Sequence, residues 1–355
     1  MTMIGFLISD GSVRKLRLRA VGRGKGGGLV RMASLAMGLL LVSSALLAGG
    51  ASAGERTGPI RIGQLTESWG PTPATAGLRD GLVELGYREN EDFVIGVRFT
   101  QGDRKALPAA ARELVRLGVD LLFMTGMHAV KAARMASSEI PIVFAGGIGD
   151  PVALGLIQSF ARPGGNITGV TDLDLELGPK RLEIFREMLP GLKRVLFLYE
   201  STDPYLLAAA NAYREGARRL GIVLVEKAVR TQEEAQETLA EVRKNDVDGI
   251  LAPSVISLNI PGVILQAASR RGIPSMFGQS FWVEQGALAS YGPDYYASGR
   301  QAARLVDKIL KGEDPAEIPV EANPNIEFAI NLKTAEALGL TIAPSMLYRA
   351  NRVVR

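Results

Sequence analysis

The sequence contains no cysteine and only one histidine, His128, in 355 residues. Without cysteine the chain cannot form disulfide bonds, cysteine-ligated zinc sites or iron–sulfur clusters, and it cannot carry a lipid attached through cysteine. A single histidine excludes a histidine-rich metal site, and we predict neither a metal-binding nor a catalytic role for His128. The sequence therefore predicts no metal or cofactor.

Several catalytic and nucleotide-binding motifs are also missing. The chain has no G-x-S-x-G nucleophile elbow, no H-E-x-x-H zinc motif and no P-loop. Gly147-Ile148-Gly149 follows a predicted strand but lacks the third glycine of a dinucleotide-binding fingerprint. Two loop carboxylates could still converge for glycoside hydrolysis, so a secreted hydrolase stays open as a less favoured alternative.

Positive charge is concentrated at the N-terminus. Residues 1–53 contain seven Lys or Arg residues and one acid, then an apolar stretch at 32–48 and the small-residue triplet Ala51-Ser52-Ala53. This order predicts a secretory signal peptide cleaved after Ala53, with a membrane anchor as the alternative. Of the 41 basic and 37 acidic residues in the chain, 34 and 36 remain after the leader, a net charge of −2. Nucleic-acid binding is therefore not expected, and we predict a periplasmic protein without a lipid anchor.

The remainder alternates β-rich and amphipathic segments, which predicts an α/β fold with parallel sheets covered by helices on both faces. The predicted strands are 60–65, 93–99, 119–125, 140–145, 166–171, 194–199, 222–229, 247–253, 273–277, 287–290 and 327–331. The predicted helices are 74–86, 104–118, 128–138, 151–161, a helix opened by 177–179, 206–220, 232–245, 259–271, 295–311 and 333–338. Four of these helices end at a glycine or are followed by one, and glycine is the residue preferred at a left-handed C-terminal position.

Two series of strands and helices of similar size predict two Rossmann-like lobes. We expect lobe 1 to comprise residues 58–172 and 295–313, and lobe 2 to comprise residues 173–294 and 314–355. Turns near 172–178, 291–294 and 313–320 would then be three hinge segments at which the chain crosses between the lobes.

Ligands of open α/β sheets bind beyond the carboxyl ends of the strands, where helix N-termini present free N–H groups. The predicted loops there offer hydroxyls, carboxylates and aromatic rings suited to a small zwitterion. We expect Ser68, Thr125 and Gly126 to bind its anionic or polar end. Asp294 is the first candidate for its ammonium group, followed by Asp150 and Asp172. The candidates for an apolar wall are Trp69, Trp282 and Tyr291. Helix capping by Asp150 and ordinary packing of the tryptophans are the structural alternatives.

Several segments together resemble the substrate-binding proteins of ABC transporters, in particular the subfamily called tryptophan/tyrosine transport-type. The matching segments are Gly-Leu-Arg-Asp-Gly-Leu-Val-Glu-Leu-Gly-Tyr at 77–87, Pro-Ile-Val-Phe at 141–144, Arg-Pro-Gly-Gly-Asn-Ile-Thr-Gly at 162–169, Ser-Tyr-Gly-Pro-Asp at 290–294 and Ile-Asn-Leu-Lys-Thr-Ala at 330–335. The resemblance implies a type I periplasmic binding protein fold. The chain departs from many relatives in the acidic loop 199–204 and in Met127-His128, where smaller residues are usual.

The resemblance also implies a function. A monomeric receptor would close its two lobes on a small solute such as an amino acid and deliver it to an ABC permease in the inner membrane, without turnover of the ligand. The alternative within the same fold is a protein that signals the presence of the solute to a membrane receptor. A transcriptional regulator would need an N-terminal helix-turn-helix, and residues 1–58 offer a basic, glycine-rich leader instead.

Overall fold

The computed structural model describes residues 58–68, 70–172, 174–243, 245–254 and 259–355. The predicted signal peptide and Trp69 lie outside the described residues. Within these ranges, no helix has both the length and the apolar character needed to cross a bilayer.

Most of the elements follow in the order predicted from the sequence. The strands are β1 (Ile60–Thr66), β2 (Phe93–Phe99), β3 (Leu121–Thr125), β4 (Ile142–Ala145), β5 (Ile167–Thr171), β6 (Arg194–Glu200), β7 (Val223–Val229), β8 (Gly249–Leu251), β9 (Ser275–Phe277), β10 (Ala289–Pro293), β11 (Glu321–Ala322), β12 (Ile326–Asn331) and β13 (Arg352–Val354). The α-helices are α1 (Pro73–Glu84), α2 (Leu107–Arg116), α3 (Met127–Ala136), α4 (Asp174–Met188), α5 (Pro204–Leu220), α6 (Gln232–Glu241), α7 (Ile260–Arg271), α8 (Phe281–Glu284), α9 (Tyr295–Leu310), α10 (Leu332–Ala337) and α11 (Pro344–Arg349). A 3₁₀ helix, Arg104–Ala106, precedes α2.

The strands form two sheets. The first has the order β11-β5-β4-β3-β1-β2, and all of its strand pairs are parallel. The second has the order β13-β12-β10-β9-β8-β6-β7 and is parallel except for the antiparallel pair β10–β12. We call each sheet with the helices packed on it a lobe, lobe 1 for the first sheet and lobe 2 for the second. The predicted α/β fold with two mostly parallel sheets is confirmed.

The central strands of each sheet are buried on both faces, which explains why they are largely apolar. One apolar cluster lies on each face of the first sheet, and one lies on each face of the second. Strand β3 shows the pattern clearly, since Leu121, Leu122, Phe123 and Met124 are all fully buried. A half-exposed strand would alternate apolar and polar residues. A central parallel strand is covered by helices on both faces, so both of its faces are apolar.

The chain crosses between the lobes at three places, between β5 and α4, between β10 and α9, and between β11 and β12. Hydrogen bonds join the three crossings. The Asn323 side chain donates to the carbonyl oxygen of Asp294 at 2.8 Å, and the amide of Asn323 donates to the carbonyl oxygen of Thr171 at 2.8 Å. The sequence placed the third crossing before residue 321, but β11 pairs with β5 in lobe 1, so this crossing lies at 323–325.

Other differences from the sequence predictions have local causes. The predicted helix 151–161 is absent, because its first turn ends at Gly155, whose φ of 64° lies in the left-handed region. Helix α4 begins at Asp174, before the predicted start at 177–179. The short elements β11, β13, α8 and α11 were not predicted. Glycines at the ends of α5 and α7, Gly221 and Gly272, are left-handed as expected, with φ of 64° and 61°.

Candidate functional site

A cavity of about 640 Å³ lies where the carboxyl ends of the two sheets face each other. Lobe 1 contributes the segments that follow β1, β3 and β4, together with the start of α9. Lobe 2 contributes the starts of α4, α5 and α7 and the segments after β8 and β9. The volume lies within the range of about 300–1,000 Å³ found for small-molecule sites.

Three of the predicted polar residues, Ser68, Thr125 and Gly126, line this cavity from lobe 1. Ser68 is tied into its own loop, since its hydroxyl donates to the carbonyl oxygen of Gly70 at 2.5 Å. Thr125 differs, because its hydroxyl oxygen is buried and has no hydrogen-bond partner in the described protein. A buried hydroxyl without a partner is unfavourable unless a ligand supplies one.

Helix α3 begins at this wall without a cap. Its N-cap residue is Gly126, which has no side chain to accept a hydrogen bond from the first-turn amides. The amides of Gly126 and Met127 donate to the carbonyl oxygens of Gly146 and Gly147. The next bonded amide is that of Val130, which donates to the carbonyl oxygen of Gly126, so the amides of His128 and Ala129 are left for a ligand. They lie next to the Thr125 hydroxyl, and the positive end of the helix dipole favours an anionic group there.

Asp174, at the start of α4, supplies a buried carboxylate to the lobe 2 wall. It accepts hydrogen bonds from Arg181 at 2.6 Å, the Ser254 hydroxyl at 2.8 Å and the Tyr205 hydroxyl at 3.0 Å. Asp174 and Arg181 are 5% and 1% exposed. Burial opposes the charge of Arg181, but Tyr213 and Asp174 outweigh it and keep the pKa of the guanidinium above its ordinary value. The pair therefore fixes one carboxylate at the edge of the cavity.

Asp172 lies directly behind the cavity wall. Its carboxylate accepts a hydrogen bond of 2.6 Å from the amide of Gly147, and the Tyr295 hydroxyl donates to it. Gly146 is needed beside this contact, since a Cβ there would lie 2.4 Å from the ring of Tyr295. Burial and the charge of Asp174 raise the pKa of Asp172 to about 6, against the opposing effect of its hydrogen bonds.

The raised pKa of Asp172 predicts how stability depends on pH. Between about pH 4 and pH 6 the folded state keeps a proton that the unfolded state has lost, so the contribution of Asp172 to stability falls as the pH rises through this window. In Asp172→Asn this decline should be absent from urea unfolding curves measured at pH 4.5, 5.5 and 7. Asp150→Asn, which changes an exposed carboxylate, is the control, and parallel profiles for Asp172→Asn and the unaltered protein would contradict the assignment.

Aromatic rings form the apolar part of the wall. Trp282 lines the cavity and packs between Phe277, with ring centroids 5.6 Å apart, and Phe281, at 5.2 Å in an edge-on arrangement. Phe281 also lines the cavity and is 44% exposed. Such a large, exposed aromatic side chain beside a buried tryptophan suits a planar or bulky apolar ligand group.

Three other predicted residues lie outside the cavity lining. Asp294 caps α9, since its carboxylate accepts from the amide of Ala297 at 2.9 Å. Asp150 caps the turn that follows it through the amides of Val152 and Ala153. The Tyr291 ring packs against Phe328. None of these three is placed as predicted, because the backbone or the core has already engaged its side chain.

The cavity is also lined by several side chains that were not among the predicted site residues, namely Glu67, Asp174, Asp203, Tyr205, Ser254, Phe281 and Tyr295. A signal existed for Asp174, which follows Asp172 by two residues after β5. Among the described residues, no group of three or more His, Asp or Glu side chains has the arrangement of a metal site.

The chain is similar to proteins of one known family over both lobes. Residues 60–354 match the family described as ABC transporter substrate binding protein. The chain belongs to this family. The family match spans both lobes and all three crossings. A cavity between the two sheets is where a protein of such a family would bind its solute. The chain is therefore a solute-binding protein of the ABC transporter type, and the predicted type I periplasmic binding protein fold is confirmed.

Individual relatives are similar over most of the chain. A tyrosine-binding protein of Clostridioides difficile is 28% identical over 283 residues, which cover 79% of this chain and 81% of the relative. The structure of an ABC domain from Streptococcus pneumonia in complex with L-Trp is 26% identical, with a TM-score of 0.72 over 83% of this chain and 100% of that one. A ligand-free, open substrate binding protein with adhesive properties from Clostridium difficile is 25% identical, with a TM-score of 0.59 over 83% and 99%.

Proposed function

We propose that the protein binds an amino acid with a large apolar or aromatic side chain, as a zwitterion, and delivers it to an ABC permease from the periplasm. The observation that carries the proposal is the pairing of two polar groups in one cavity. Asp174 is a fixed, buried carboxylate for the ammonium group, and the uncapped start of α3 with the Thr125 hydroxyl is a donor set for the carboxylate.

The side-chain end of the ligand would lie against Phe281 and Trp282. The relatives support this class of solute, since one is a tyrosine-binding protein and another was solved with L-Trp. The structure also matches the Trp complex with a higher TM-score than the open, ligand-free protein, 0.72 against 0.59, at nearly equal identity and coverage. This difference supports a closed arrangement of the lobes, and closure around a solute is how two-lobed receptors bind.

Isothermal titration calorimetry of the purified protein tests the proposal. L-tyrosine, L-tryptophan, L-phenylalanine and L-leucine are compared with tyramine and tryptamine, which lack the carboxylate, and with 3-(4-hydroxyphenyl)propionate, which lacks the ammonium group. We expect saturable binding of at least one aromatic amino acid and a loss of about 100-fold or more for either truncation, because each leaves a buried polar group of the protein without its partner. Binding of the truncated compounds as tightly as the amino acids, or no binding by any amino acid, would overturn the proposal.

An uptake assay distinguishes delivery of the amino acid to a permease from a sensory role. Cells that lack the protein should take up less of the bound amino acid, labelled with ³H, than cells that contain it. Unchanged uptake together with a changed transcriptional response to that amino acid would favour the sensory role instead.

A further inference from the structure

A network of charged side chains crosses between the lobes beside the cavity. Arg104, in the 3₁₀ helix of lobe 1, contacts Glu200 at 2.8 Å and Asp203 at 2.9 Å, and both acids belong to lobe 2. The same guanidinium contacts Glu67 of lobe 1 at 3.2 Å. His128, at the start of α3, lies 3.2 Å from the Asp203 carboxylate. We call these five residues the Arg104 network.

The side chains of the Arg104 network are largely buried, so solvent screens their charges only weakly. The side chains of Glu67, Glu200 and Asp203 are 9%, 8% and 1% exposed, and that of Arg104 is 21% exposed. Burial raises the pKa of Asp203, but the hydrogen bond with His128 and the charge of Arg104 outweigh it, so the pKa lies below its ordinary value. Partly buried, charge-assisted hydrogen bonds of this kind are stronger than exposed ion pairs and are screened less by salt.

Arg104 is the cation that contacts carboxylates of both lobes. Three carboxylates face one guanidinium, and they come from both lobes, Glu67 from lobe 1 and Glu200 and Asp203 from lobe 2. With Arg104 present, each carboxylate has an opposite charge within contact distance. Without it, carboxylates of the two lobes would face each other in a partly buried space, and their repulsion would oppose closure.

All of these contacts join protein groups directly, and none requires a ligand. We propose that Arg104 is a positioning residue that latches the two lobes together and sets how much of the unliganded protein is closed. It acts on affinity through closure and not by contact with the solute. The inference deepens the proposed function, since ligand affinity scales with the fraction of the protein that is competent to close.

Distance measurements on the unliganded protein test the latch without any assumption about the ligand. Because the chain has no native cysteine, Met135→Cys in lobe 1 and Tyr348→Cys in lobe 2 provide two unique sites for spin labels. Both side chains are highly exposed, 81% and 93%. Pulsed electron spin resonance then gives the distribution of distances between the lobes.

We expect Arg104→Gln to shift this distribution toward open distances and to raise the apparent Kd for the bound amino acid about tenfold. Arg214→Gln is the matched control, because Arg214 pairs with Glu226 within lobe 2 and should leave both measurements unchanged. The triple variant Arg104→Gln/Glu200→Gln/Asp203→Asn removes the repulsion and should recover part of the closed population. Asparagine preserves the helix cap that Asp203 provides to Tyr205.

Two results would overturn the latch. One is a distance distribution in folded Arg104→Gln equal to that of the unaltered protein, with folding checked by circular dichroism. The other is a triple variant as open as Arg104→Gln itself. Failure of the proposed function is a separate outcome, because it would appear as absent amino acid binding while the distance distributions still responded to Arg104.

Discussion

Asp174→Asn is expected to weaken binding of a zwitterionic amino acid by about 100-fold. Asparagine is nearly isosteric with aspartate. Its amide oxygen can still accept from the Ser254 hydroxyl and its amide nitrogen can donate to the Tyr205 oxygen, so the shape of the wall should change little. The negative charge is lost, however, and the ligand ammonium group would be buried without a counter-ion. Isothermal titration calorimetry with the amino acid that binds most tightly measures the effect directly.

Asp294→Asn is the matched control for this experiment. Asp294 is also an aspartate close to a crossing between the lobes, but its carboxylate caps α9 and does not line the cavity. Asparagine is an equally good N-cap, so both folding and affinity should be preserved. Equal losses in the two variants, or an unchanged affinity in Asp174→Asn, would show that Asp174 is not the ammonium partner.

The contrast between Asp172 and Asp174 shows where sequence reasoning about the site ends. Both lie where the chain passes from β5 to α4, two residues apart, so their local sequences are alike. Their side chains nevertheless contact different lobes. The carboxylate of Asp172 turns back to the amide of Gly147 in lobe 1, and Asp174 turns forward to Arg181 in lobe 2. That choice depends on tertiary packing, which no local pattern encodes.

The fold was easier to predict than the site, because strand and helix periodicity is a local property. Eleven of the strands were located from apolar runs, whereas β11 and β13 have two and three residues and exist only through pairing with β5 and β12. The position of β11 moved the third crossing beyond the predicted boundary. The Arg104 network depends on a contact between residues 99 positions apart and could not be foreseen.

The largest effect on stability is expected from Arg181→Met. Arg181 is 1% exposed and contacts Asp174, the Tyr213 hydroxyl and the carbonyl oxygen of Tyr291. Methionine has a similar length but no charge, so Asp174 would stay buried without a compensating cation. Removing one partner of a buried ion pair costs about 3–5 kcal/mol, and urea unfolding at pH 7 should show a loss of this size.

Three comparisons test whether the lower stability of Arg181→Met comes from the buried charge of Asp174 or from a change of packing. Arg186→Met, at an exposed position of the same helix, should cost less than about 1 kcal/mol. Arg181→Met/Asp174→Asn removes both charges and should recover part of the stability. The deficit of Arg181→Met should also shrink at pH 5, because an uncompensated buried carboxylate has a raised pKa and takes up a proton as the pH falls. A deficit that is equal at both pH values and persists in the double variant would mean that Arg181 stabilises the fold through packing alone. The buried charge of Asp174 would then not depend on Arg181, and the two residues could be altered independently.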